Sequence, residues 1–468
     1  MTDAAPPSAL RLRLDERAVR TIPSPSPYAF PPFVDALLVD EVHDFNTRVG
    51  VRYAAQLATE APRAARFARR HPHPRYVDDA ELLRLCFETA LQRLLCPTLD
   101  PVDLAAFEGL LDRPGRYYKL DASPLAVARA LPGMYVAPTV TLLHEAPDGA
   151  RRVVATRVHA MTLTAADGEA WRRARYFVAY ALSMIMVSVP HVPMHFGHEV
   201  AWPLMRRALP PSHPWRQLLA PHFRFTLPLS FGALYSGASV TRQRPWRLYS
   251  PFAMDEESVL RLFEVGCTGL EGNSAYPRYR FPLHGPAFVG DYGAFHRAYH
   301  AAFVDFASRF VAACPPDDAV RGWCSEVAAL VPGFPDGDAP ALLLAKALGA
   351  LLWNVTIGHA ADHHSFGAQP IEALPQRLRV PPPTSRDAAP VPDDAWATPL
   401  DMARLYLCWK MFYADSPAST LMTTRYDFAR GDLQVLAARH FDALREVERT
   451  LAVRRFIPLD AVSASIQY

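Results

Sequence analysis

Apolar positions recur at helical spacing over most of this chain. Between Phe33 and about Arg70 they include Leu37, Leu38, Val42 and Phe45, and the same period returns over 79–96 through Leu82, Leu85, Phe87 and Leu91. Tyr135–Leu143 and Val153–Leu163 are instead rich in valine and threonine, with Pro147-Asp148-Gly149 between them, so this stretch predicts a β-hairpin. Beyond it the pattern predicts helices over 169–189, 198–209, 255–265, 291–313, 317–330, 339–366, 399–414 and 431–454. The last is long and amphipathic, through Leu433, Leu436, Phe441, Leu444 and Leu451. Prolines interrupt the pattern in two places. Residues 1–32 read as an arm, extended on the surface or disordered, and 380–392 as a loop between helices. These elements predict one mainly α domain over 33–468, with a small β element in its first half.

One segment can be read in two ways. Tyr176 to His198 carries no formally charged residue and is long enough to span a bilayer. It also contains Pro190, Pro193 and three histidines, which are costly in lipid. The expectation is a helix buried on all sides in the core, opening at its far end onto a cavity, in a protein that needs no detergent.

Charge narrows the function classes. With 49 basic against 47 acidic residues and a net charge of +2, there is no electrostatic case for nucleic acid. Cys86, Cys96, Cys267, Cys314, Cys324 and Cys408 form no C-x-x-C pair and read as buried thiols in a reducing compartment. The first residues have neither the basic nor the apolar region of a secretory signal, so a cytoplasmic enzyme is the starting expectation.

The histidines are the candidate chemistry. His191 and His195 lie in the uncharged segment, and His359 and His363 close a second apolar helix from Leu342. A four-residue spacing puts both imidazoles of a pair on one helix face. Two such pairs on adjacent buried helices make a four-nitrogen site for a metal. Imidazole suits iron, copper, zinc or nickel, and an added carboxylate shifts the preference toward iron or manganese. Against this stands the ordinary buried histidine that is only hydrogen-bonded in the core. His198 and His364 read as residues around the site, with His198 an alternative ligand if the prolines distort the helix.

Four stretches, in order, resemble the lipoxygenase family. Trp171 through His191 and His195 to Ser212-His213-Pro214-Trp215-Arg216-Gln217-Leu218-Leu219-Ala220-Pro221-His222-Phe223-Arg224-Phe225-Thr226 is similar to the family's metal-binding helix and the segment that follows it. His359-Ala360-Ala361-Asp362-His363, within Trp353 to Gly367, resembles the family's H-A-A-x-[NH] pattern. Arg379-Val380-Pro381-Pro382-Pro383-Thr384 is like its proline-rich loop, and Val462-Ser463-Ala464-Ser465-Ile466-Gln467-Tyr468 is like its terminus. The resemblance covers roughly 130–468 and implies a compact version of the catalytic domain without the amino-terminal lipid-binding sandwich.

It further implies non-haem iron, or manganese, held by His191, His195, His359, His363 and the α-carboxylate of Tyr468. No side chain is assigned as the catalytic base, because in the family the metal-bound hydroxide takes the proton. The implied partners are a polyunsaturated fatty acid, or a lipid-like small molecule, and O2, giving a hydroperoxide. The chain departs from the family in spacing its first pair H-x3-H where the family has H-x4-H on a locally widened helix. Moving His191 to the second ligand position would put Met186 in the first. Val187 and Phe366 stand near the usual glutamines, Leu234 near the usual arginine, and Ala464 at an asparagine. These departures motivate a second reading, an iron or manganese oxygenase acting on a smaller, more polar secondary metabolite. A third is a non-catalytic binding protein of the same fold. His213 and His222 are expected to be structural, Trp171 and Trp353 core residues, and Glu199 either a carboxylate near the metal or a helix cap.

Overall fold

The computed structural model describes residues 11–22, 33–234, 239–242, 250–412, 417–451 and 456–467, with the backbone alone at 22, 33 and 365–367. Most of the 1–32 arm therefore lies outside the described residues. Its described part is tied down: Leu12–Arg13 pairs in parallel with Leu37–Leu38, and Thr21–Ile22 pairs antiparallel with Phe33–Val34. Arg216 adds an ion pair to Glu16 at 2.8 Å.

The predicted hairpin is the centre of a larger sheet. Strands β1 (Leu95–Cys96), β2 (Arg116–Asp121), β3 (Thr139–Glu145), β4 (Arg151–Val158) and β5 (Met161–Leu163) run antiparallel in sequence order. β2 does not look like a strand because its centre is a lysine. Lys119 is fully buried, and Asp100 and Asp103 hold its ammonium at 2.5 and 2.7 Å. A buried cation is tolerated only when it is paired in this way.

Helices make up the rest. α1 (Val51–Arg70), α2 (Asp79–Glu88) and α3 (Gly168–Ser188) are followed by a short α4 (Val192–Phe196) and by α5 (Thr226–Leu234). α6 (Gly290–Ala313) packs along α7 (Ala341–Trp353), which a five-residue π-helical turn, Asn354–Gly358, joins to α8 (His359–Gly367). α9 (Pro399–Phe412) lies on α1, and α10 (Gly431–Thr450) on α6. The expected helices over 198–209, 255–265 and 317–330 are present as Ala201–Ala208, Glu256–Thr268 and Asp318–Leu330. The helix expected over 169–189 is present as α3, which stops at Ser188, so the longer uncharged run 176–198 is not one continuous helix.

Two segments, Ala165–Ala208 and Ala341–His364, are apolar enough to cross a membrane by length and composition. Their most apolar stretches are 89% and 78% buried within the protein, because α3 and α7 are the innermost helices and meet other helices and the sheet on most sides. That burial explains the missing polar face of each helix.

The α6–α7 contact fixes where α8 and its histidines stand. A Cβ at Gly349 of α7 would lie 2.7 Å from the Val304 Cα and 2.9 Å from the Phe303 carbonyl oxygen, so the two backbones touch there. Gly349→Ala is expected to force the helices apart and to lower the unfolding free energy by about 1–3 kcal/mol. Urea denaturation measures this, and a neutral or stabilising effect would contradict the packing described.

Candidate metal centre

The two prolines shape the first half of the site. Val189 leaves α3 at φ −125° and ψ −77°, and Pro190 has no N–H with which to continue the helix. Pro193 falls in the first turn of α4, where a missing N–H costs nothing. His191 therefore caps α4 and His195 lies inside it. The four-residue spacing survives without the continuous apolar helix that the sequence suggests. The carbonyl freed at Pro190 accepts a hydrogen bond from Arg93 at 2.5 Å.

The second half carries the widened turn. The π-helical turn Asn354–Gly358 immediately precedes His359, so the local widening lies on this helix and not on the one carrying His191. Gly358 lets α4 approach: a Cβ there would lie 3.0 Å from the Met194 Cε. The Asn354 amide donates to the Met194 carbonyl at 3.3 Å, linking the turn to α4.

These elements bring one ring nitrogen from each of His191, His195, His359 and His363 within 4.8 Å of one another. The His195 Nε2 lies 2.9 Å from that of His191 and 3.1 Å from that of His359. Two nitrogens each about 2.1 Å from one ion and at right angles to each other would be about 3 Å apart, so the donor set fits a metal. Two tautomers are set from outside the cluster. The His363 Nδ1 donates to the Phe412 carbonyl at 2.5 Å, and the His191 Nδ1 faces the Asp362 carboxylate at 3.2 Å. Both partners can only accept, which turns the Nε2 lone pairs toward the interior of the site.

Three of the four rings are kept uncharged. Burial, and then the charge a neighbouring imidazole would carry, holds His195 down to about 3 and His191 well below the usual histidine range. Burial also holds His363 down to about 4. Neutral imidazole is the form that binds metals.

Asp362, Arg93 and Tyr292 were not assigned from the sequence. The Asp362 carboxylate pairs with the Arg93 guanidinium, accepts from the Tyr292 hydroxyl and faces His191. Arg93 also touches the Met194 sulfur at 2.7 Å and lies over the Phe288 ring at 5.0 Å. The available signal for Asp362 was an acidic residue in the 339–366 helix, which is otherwise free of carboxylates and has Lys346 as its one other formally charged residue. Nothing local marks Arg93 or Tyr292.

The other candidates stand elsewhere. His198 faces the Asn354 amide at 3.1 Å and the Tyr279 hydroxyl at 3.4 Å, outside the four-nitrogen group. His364 is half-buried, and Glu199 is buried with its carboxyl pushed up to about 8 by desolvation; neither belongs to the group. His213 caps its helix by accepting from the Trp215 N–H at 3.3 Å. His222 bridges the Ala464 carbonyl at 2.8 Å and the Tyr426 hydroxyl at 2.9 Å. Trp171 and Trp353 are core residues, Met186 is buried, and Leu234 ends α5. Tyr468 and the Phe366 side chain lie outside the described residues. Gln467 is buried, with its amide held by Ala418 and Ser419 and its carbonyl accepting from the Tyr53 hydroxyl at 3.1 Å.

A cavity of about 290 Å³ opens beside the cluster. His191, His195 and His363 form part of its wall; Val187, Phe196, Leu229, Phe252, Met411 and Phe412 are among the apolar residues of the rest. Among the described residues of that wall none is Asp, Glu, Lys or Arg.

No protein-family profile matches the chain, and no curated protein is significantly similar in sequence. Solved structures do match. Coral 8R-lipoxygenase superposes over 97% of this chain and 80% of its own, with a TM-score of 0.70 at 15% identity. A calcium-dependent 11R-lipoxygenase covers 97% and 79%, with a TM-score of 0.72 at 16% identity. The manganese lipoxygenase of Gaeumannomyces graminis covers 94% and 91%, with a TM-score of 0.67 at 16% identity. The fold of this chain is the lipoxygenase fold.

Two predictions follow from the site's electrostatics. In the metal-free protein the unfolded chain binds protons that the buried imidazoles refuse, so stability falls as pH drops below about 6.5 and continues to fall toward about 4. Each such histidine adds about 1.4 kcal/mol per pH unit in that window. Glu199 acts in the opposite sense as a single group. Unfolding curves between pH 5 and 7.5 test this, and a flat profile would refute the neutral cluster. Separately, Asp362→Ala strands Arg93 inside the protein and should cost about 3 kcal/mol of stability.

Proposed function

We propose that the protein is a non-haem iron or manganese dioxygenase of the lipoxygenase type, converting a polyunsaturated fatty acid and O2 to a hydroperoxide. The observation that carries this reading is the convergence of four imidazoles, three of them in the wall of an apolar cavity, within a lipoxygenase fold. Among proteins of that fold, one is a manganese lipoxygenase, and another was crystallised anaerobically with arachidonate.

On this reading His191, His195, His359 and His363 hold the metal, and the Tyr468 α-carboxylate is the fifth ligand. Gln467 supports the last assignment, since its carbonyl is fastened to Tyr53, itself in the cavity wall. Nitrogen ligands alone would suit zinc, copper or nickel equally well, and the carboxylate is what turns the preference toward iron or manganese. When bound, the metal supplies one-electron redox chemistry for a pentadiene and O2. The chain supplies the remainder. Asp362 and the Phe412 carbonyl keep the His191 and His363 tautomers ready, and the apolar wall excludes water while accepting a hydrocarbon chain. That wall favours a lipid over a small polar metabolite. Six free thiols support a reducing compartment such as the cytoplasm.

Metal analysis of the purified protein is expected to give one iron or manganese per chain. His195→Ala and His359→Ala should each empty the site, and oxygen uptake should appear with linoleate or arachidonate. Full occupancy in both variants would remove the assignment; a metal-free wild type would favour the binding-protein reading. Deleting Tyr468, or extending the chain past it, should lower metal content sharply, whereas Tyr468→Ile should be tolerated. Unchanged metal content after extension would leave a histidine-only site.

A further inference from the structure

We propose that Gln376 selects the substrate, and that it selects a lipid bearing a hydroxyl on its hydrocarbon chain; this rests on the lipid-oxygenase reading above. The polar groups of the cavity wall are few. Three histidines belong to the cluster, and the Tyr53 hydroxyl donates to the Gln467 carbonyl. That leaves Gln376 and Cys408.

Gln376 is 2% exposed, lies in the wall and has, among the described residues, a single side-chain partner, the Cys408 sulfur at 3.3 Å from its Nε2. Among the described residues its Oε1 has no hydrogen-bond donor. Burial pushes the Cys408 thiol up to about 12, so it stays an S–H that can meet either end of the amide. Whichever end it meets, the other is left without a partner. A buried amide end in that state is unfavourable, and a plain hydrocarbon filling the cavity offers it no partner.

A hydroxyl both donates and accepts, so it can pair with either end. A carboxylate only accepts, and no described residue of the wall offers it a cation. The amide is also well fixed. Arg377, the next residue, donates to the carbonyls of Ser250 and Phe252 at 3.1 and 3.3 Å, locking this segment against the wall. Cys408 stands one turn of α9 before Phe412, the residue that anchors His363.

The test is binding of unreactive chains to the full-length protein. Stearate and its monohydroxylated positional isomers lack the pentadiene, so displacement of a fluorescent fatty acid reads affinity apart from turnover. Wild type is expected to bind one hydroxylated isomer about threefold to tenfold more tightly than stearate. Gln376→Met, close in length and apolar, should abolish that ratio while leaving stearate binding in place. It should also leave the unliganded protein at least as stable, which a structural role for the amide would not allow. Equal affinity for all chains, or a ratio that persists in Gln376→Met, would overturn this inference and leave the lipid reading standing. Failure of every chain to bind would overturn both.

Discussion

Four imidazoles must be held uncharged, unhydrated and within a few ångströms of one another, and the architecture follows from that demand. Water would protonate them and flexible helices would disperse them. The chain answers with α3 and α7, two helices long and apolar enough to do without a polar face, buried in the core. Both are then altered at the point of use. Prolines stop α3 and restart it as α4, and a π-helical turn widens the passage from α7 to α8. Regular helices would present residues four apart on one face. The breaks let two such pairs meet head on.

The outer contacts matter because imidazole is ambiguous. A neutral ring carries its proton on either nitrogen, and only one choice leaves the inner lone pair available. Asp362 and the Phe412 carbonyl make that choice for two of the rings. Asp362 can remain a buried carboxylate because Arg93 and Tyr292 satisfy it. The same economy shapes the cavity, whose wall is apolar apart from the histidines and a few polar groups.

Much of this was legible in the sequence. Periodicity located the long helices, because a core helix advertises itself by the residues it buries. The valine-rich runs located the hairpin. Strand β2 was hidden, since Lys119 at its centre is compatible with burial only once Asp100 and Asp103, distant in pattern, have been brought to it. The four histidines were found from spacing and apolar surroundings, and the periodicity ended α3 near residue 189, yet the short helix α4 beyond Pro190 was not foreseen. Prolines show where a helix ends; they do not show that the residues beyond fold back to the same place. Arg93 and Tyr292 were beyond reach because each meets Asp362 across long stretches of chain.

Those separations also set an order of events during synthesis. The His195–His359 contact spans 164 residues, and the His222 bridge to the Ala464 carbonyl spans 242. Translation at roughly 5–20 residues per second therefore leaves α3 and α4, apolar and unpartnered, waiting many seconds for the helix that completes them. During that interval the first histidine pair can offer an ion only two nitrogens, a weak and unselective chelate. The set of four nitrogens is complete only once His363 has emerged. Any ion that all four would hold could thus enter only late, when the core closes.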